Sequence, residues 1–83
     1  MDQLARTPKQ LGEILRRRRK ESGLSQVALG IRIHLRQSTI STLENSTADT
    51  RLGTLFDSLA DLDLELVIRP RTKGSTKDIE ALF

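Results

Sequence analysis

At 83 residues, with a hydrophobic share of 36% and no cysteine, the chain is sized for one domain with a small core, and it can build neither a disulfide framework nor a cysteine-based zinc site. Its 14 Lys and Arg against 11 Asp and Glu give a net charge of +3, and the basic residues crowd into the first half, a balance that favours a polyanion as partner. No apolar run exceeds three residues, which excludes a membrane span, and the opening residues lack the hydrophobic stretch of a secretory signal, so the expected location is cytoplasmic.

Residues 1–6 read as a short flexible arm. Thr7, Pro8 and Gln10 then make a strong helix start, because proline suits the first helical position and Thr-x-x-Gln can form a capping box. The first helix should run from residue 8 to about 22, with Leu11, Ile14 and Leu15 facing inward and Gly23 ending it. Its basic run, residues 16–20, wraps more than a full turn and cannot all meet one phosphate backbone. Arg17, Arg18 and Lys20 read as a solvated face. Arg19 lies four residues beyond Leu15 on the inner stripe, where an unpaired charge is costly, so it should find an acid, and Glu44 is the candidate.

Two short helical patterns follow, near 26–33 and 37–44, separated by a turn. Ser25 can cap the first, Val27, Leu29 and Ile33 supply its apolar positions, and Gly30 stands where a steep helix crossing needs a small residue. The turn position after Ile33 often takes a left-handed conformation that glycine adopts freely; here it is His34. On the second pattern Ile40 and Leu43 point inward, leaving Gln37, Ser38, Thr39, Ser41 and Thr42 outward. The unit reads as a helix-turn-helix. If its second helix enters a major groove, Gln37, Ser38, Thr39 and Thr42 can reach base edges, and the Gln37 amide can bond bidentately to adenine. Gln26, Ser41 and Arg36 are placed for the phosphate backbone. The only aromatic residues are two Phe, so the stacking platforms of single-strand readers are missing and duplex DNA is the better partner.

Residues 45–50 form a polar loop whose last members can cap a fourth helix over 51–62, with Leu52, Leu55, Phe56, Leu59 and Leu62 as its apolar stripe. The period then changes to two: Leu64, Leu66 and Ile68 share one face, Val67 takes the other, and Pro70 ends the run. This predicts a β-strand. A lone strand leaves its backbone groups unpaired, so its natural mate is the same strand of a second copy. The remaining tail, 71–83, is polar until Ile79, Leu82 and Phe83, which could share one face of a docking turn or belong to a frayed terminus. With one histidine, no cysteine and no recognisable pair of acids, neither catalysis nor a metal or other cofactor is expected.

From Thr7 to about Leu62 the sequence resembles the lambda-repressor-like, or Xre-type, helix-turn-helix family: Gln26, Leu29, Gly30, Ile33, Gln37, Ile40, Leu43, Glu44 and Asn45 fall on its motif positions, while His34 departs from the usual glycine. That resemblance implies a mainly all-α bundle of four to five helices, with base contacts from Gln37, Ser38, Thr39 and Thr42, backbone contact from Gln26 and an Arg19–Glu44 pair. The fourth helix followed at once by Leu64, Leu66, Val67, Ile68 and Pro70 looks like the end of the HipB antitoxin family, whose strands pair across a homodimer. It implies a dimer bound to a palindromic operator in the nucleoid, repressing its own operon and holding a HipA-type Ser/Thr kinase toxin inactive. The expected organisation is an arm (1–6), a DNA-binding domain (7–63), a dimerisation strand (64–70) and a tail (71–83). A stand-alone Xre-type regulator, such as a phage-type repressor or restriction-system controller, is the alternative.

Overall fold

Thr7 lies in extended backbone and its hydroxyl accepts from the Gln10 amide at 3.1 Å, so the first helix, α1 (Pro8–Glu21), begins where a proline without an amide hydrogen fits. The Gln10 side chain returns to the amide of Arg6, one residue earlier than in a standard capping box. Residues 2–71 are described in this computed structural model; the tail residues Ile79, Leu82 and Phe83 lie outside them. Within that range three further helices follow: α2 (Gln26–Ile33), α3 (Gln37–Asn45) and α4 (Leu52–Asp61). The Ser25 hydroxyl caps α2 by accepting from the Ala28 amide at 3.0 Å.

The core gathers Leu15 from α1, Leu29 from α2, Ile40 and Leu43 from α3, and Leu55, Leu59 and Leu62 from α4 and its end, with Leu11, Leu24, Ile33, Leu35 and Leu64 packed round it. Glycine permits two close approaches. A Cβ on Gly30 would collide with the Leu35 carbonyl oxygen, and one on Gly12 would stand 2.7 Å from the carbonyl oxygens of both Leu43 and Glu44. The first lets the turn between α2 and α3 fold back tightly; the second sets α1 directly against the last turn of α3. His34 closes α2 at φ 61°, ψ 42°, in the left-handed region, and its amide donates to the Gly30 carbonyl. A side chain with a Cβ there costs about 1–2 kcal/mol.

Several expectations need correction. Val27 is exposed, because it lies about 200° round the helix from Leu29, opposite the core. In α4, Leu52 and Phe56 are exposed: they lie about 60° and 100° round from Leu55, while the inner stripe is shifted the other way to include Ser58, whose hydroxyl donates to the Thr54 carbonyl at 2.9 Å. No described side chain caps α4: its N-cap residue is Arg51, whose guanidinium has no oxygen to accept from the first turn. Arg18 is half-buried, not solvated: its Nε donates to the Leu62 carbonyl at 2.9 Å and holds the end of α4 to α1. Arg17 reaches the arm, donating to Gln3 Oε1 at 2.8 Å.

Residues 64–70 form no strand among the described residues, since a ladder needs a mate and one copy offers none. After Asp63 turns the chain at φ 59°, the Leu64 amide donates to the Leu59 carbonyl at 2.8 Å, and the segment continues in open coil with Leu66, Val67 and Ile68 exposed, the last by 91%. It runs beside the arm. Together with α1 and α4 they border a groove of about 580 Å³ lined by Leu4, Leu11, Ile14, Leu59, Leu64 and Leu66 among others, and Arg69 lies 4.0 Å from Asp2.

Candidate nucleic-acid interface

α3 presents one face to the core and the other to solvent. Ile40, Leu43 and Glu44 are buried, whereas Gln37, Ser38 and Thr42 are exposed and Thr39 and Ser41 half-buried. Arg36, exposed, holds the N-cap position with no side-chain capping bond, so a cation stands at the start of the helix. Ser38, Thr39 and Thr42 also border a shallow depression of about 440 Å³ whose far side is Asp49, Thr50, Arg51 and Thr54. Arg51 is a cation that sequence reading missed. Reading the fourth helix from residue 51 hides the place of Arg51 at its N-cap, where the side chain is exposed.

Behind this surface lies a polar cluster joining three helices. Arg19 and Glu44 meet as a two-pronged pair, Nε to Oε2 at 2.5 Å and Nη2 to Oε1 at 3.0 Å, with Arg19 Nη1 donating to the Leu24 carbonyl at 2.8 Å. Both residues are more than nine-tenths buried. The hydrogen bond that Arg19 donates to Glu44 raises its pKa, burial opposes the rise, and the charge attraction of Glu44 adds to it, so the guanidinium stays charged. Any pH dependence from this shift falls at alkaline pH above the ordinary arginine range and leaves neutral pH untouched.

Gln26, at the first position of α2, donates from Nε2 to Glu44 Oε1 at 3.1 Å and accepts at Oε1 from Gln37 Nε2 at 2.8 Å. Its amide is thus engaged inward while part of its side chain remains accessible. The structure therefore brings Gln26 and Gln37 together with Arg19 and Glu44, places Ser38, Thr39, Thr42, Arg36 and Arg51 along the outer surface, and leaves Ser41 half-buried on α3. Leu64 packs on the core, whereas Leu66, Val67 and Ile68 lie beside the arm. Chemically, the surface offers amide, hydroxyl and guanidinium groups and no exposed acid on α3 itself. Elsewhere, no described helix is long and apolar enough to cross a membrane.

A profile of the helix-turn-helix domain family matches residues 10–62. The chain is 31% identical over 74 residues to antitoxin HipB of Escherichia coli (strain K12), an alignment spanning 89% of this chain and 84% of that protein. It is 42% identical over 57 residues to the uncharacterized HTH-type transcriptional regulator y4dL of Sinorhizobium fredii, but this covers 69% of the chain and only 29% of the regulator. Among solved structures, HipB in the HipA-HipB-O2-O3 complex superposes with a TM-score of 0.78 at 31% identity, over 86% of this chain and all of that one. By domain match, by identity and by fold, the chain belongs to the helix-turn-helix family and, within it, to the HipB antitoxins.

Proposed function

We propose that this chain is a sequence-specific, double-stranded DNA-binding autorepressor that acts as a homodimer on a palindromic operator and neutralises a HipA-type Ser/Thr kinase toxin. The observation that carries the DNA reading is the outer face of α3: Gln37, Ser38 and Thr42 are exposed on a helix whose opposite face is fully packed. Inserted in a major groove, Gln37, Ser38, Thr39 and Thr42 meet base edges, and Arg36, Arg51, Gln26 and Ser41 flank them at the phosphates. The relative whose structure is named as a HipA–HipB complex supports the toxin partnership.

Dimerisation follows from the segment after α4. Leu66, Val67 and Ile68 are exposed in one copy, and their backbone groups lack a ladder; pairing residues 64–70 with the same residues of a second copy satisfies both needs. The two reading helices should then be spaced by one DNA turn, roughly 34 Å. The similarity to y4dL favours a second reading, a stand-alone regulator without a toxin.

Co-purification with the product of the adjacent gene, followed by a gel shift and hydroxyl-radical footprint on the upstream promoter, tests both halves. A ternary complex and protection on one face of a palindrome are expected. DNA binding with no captured partner favours the stand-alone regulator, and protection on opposite faces refutes the dimer geometry.

A further inference from the structure

Resting on the DNA reading just given, we infer that Glu44, a buried acid with no route to DNA, is a positioning residue for base choice, because it dictates which way round the Gln37 amide faces. An ionised carboxylate only accepts. Glu44 Oε1 lies 3.1 Å from the Gln26 amide, so Gln26 must turn its NH2 toward Glu44 and its oxygen away. That oxygen in turn only accepts, and it lies 2.8 Å from the Gln37 amide, so Gln37 must turn its NH2 toward Gln26. The chemistry fixes both amide orientations. Arg19 holds the carboxylate at the head of the chain in place through two bonds, and the pair is buried, so its orientation does not drift with solvent.

The consequence appears at the outer end. With one N–H committed to Gln26, Gln37 presents one remaining N–H and one free carbonyl oxygen. Adenine offers the matching pair at its major-groove edge, an acceptor at N7 and a donor at N6. Guanine offers two acceptors, O6 and N7, and satisfying both requires Gln37 to break its bond to Gln26 and release its second N–H. The buried acid therefore disfavours guanine without touching it.

The test selects binding sites from a random duplex pool with the full chain and three variants. Gln37→Ala marks the position it reads, by the preference lost there. At that position the unaltered protein should prefer adenine to guanine by roughly 5- to 150-fold, the range of one bidentate pair. Gln26→Met removes the intermediate amide and leaves the Arg19–Glu44 pair intact; Arg19→Met/Glu44→Leu removes the head of the chain and leaves no orphaned charge. Both should let the adenine-to-guanine ratio fall below about 5-fold, through a gain on guanine sites. Variants that lose affinity on every sequence alike and keep the original ratio overturn the inference. Should the double variant fail to fold by circular dichroism, Gln26→Met decides alone. A wild-type chain that enriches no sequence overturns the DNA reading and this inference with it, whereas an enriched site with an unmoved ratio overturns this inference only.

Discussion

Arg19→Ala should have a large effect on stability. Arg19 and Glu44 are 6% and 4% exposed, and the guanidinium makes two bonds to the carboxylate and one to the Leu24 carbonyl. Truncating it leaves the Glu44 carboxylate inside the bundle with an amide N–H from Gln26 in place of a cation, and the Leu24 carbonyl without its donor. Removing one member of a buried pair costs roughly 3–5 kcal/mol, against roughly 0.2–1 kcal/mol for an exposed pair such as Arg32–Asp61, whose arginine is half exposed. A core of seven buried aliphatic residues places this small domain toward the lower end of the usual range of about 5–15 kcal/mol, so Arg19→Ala should bring it close to its unfolding midpoint. Urea unfolding followed by circular dichroism measures this, at one fixed protein concentration because dimer formation adds to apparent stability. Arg19→Met/Glu44→Leu should return to within about 1 kcal/mol of the original, since an apolar replacement leaves no buried charge unpaired. A loss below about 1 kcal/mol in Arg19→Ala would refute the reasoning, for it would give the pair no more weight than a surface contact.

Three further outcomes are expected. Gln37→Ala should weaken the cognate site by roughly 1–3 kcal/mol and leave random duplex affinity nearly unchanged, as measured by competition binding; an equal loss on both would make Gln37 a backbone contact. His34→Gly should raise stability by about 0.5–1 kcal/mol, the left-handed penalty at φ 61° less the added freedom of glycine in the unfolded chain, read as a higher urea midpoint. Ile68→Lys should shift the dimer toward monomer in analytical ultracentrifugation and lower operator affinity steeply with dilution; a dimer of unchanged strength would remove residues 64–70 from the interface.

Local signals in the sequence carried the helices. Thr7, Pro8 and Ser25 mark starts that capping chemistry dictates, and α2 and α3 begin at Gln26 and Gln37, where the pattern placed them. The spacing of four between Leu15 and Arg19 sufficed to place that charge inside and to demand an acid. Features that depend on how helices cross were not legible. Nothing in the pattern tells that Gln26 also meets Glu44 and Gln37 at its two ends, because that depends on the crossing of α2 and α3. Arg18 reads as solvated until the end of α4 arrives beside it. Phe56 and Leu52 fit an apolar stripe by spacing, and only the burial of Ser58 reveals that the stripe is rotated. The segment after α4 is different in kind, because the pairing that its period of two predicts would need a second copy.

The contact of Gly12 with the carbonyls of Leu43 and Glu44 is main chain against main chain, with no side-chain padding between. The distance between α1 and the end of α3 is thereby set by backbone dimensions and not by the shapes of the residues filling the interior. The leucines and isoleucines inside can then be exchanged for others of similar bulk while that spacing stays constant. The outer residues of α3 can vary on a mount that does not have to be rebuilt each time.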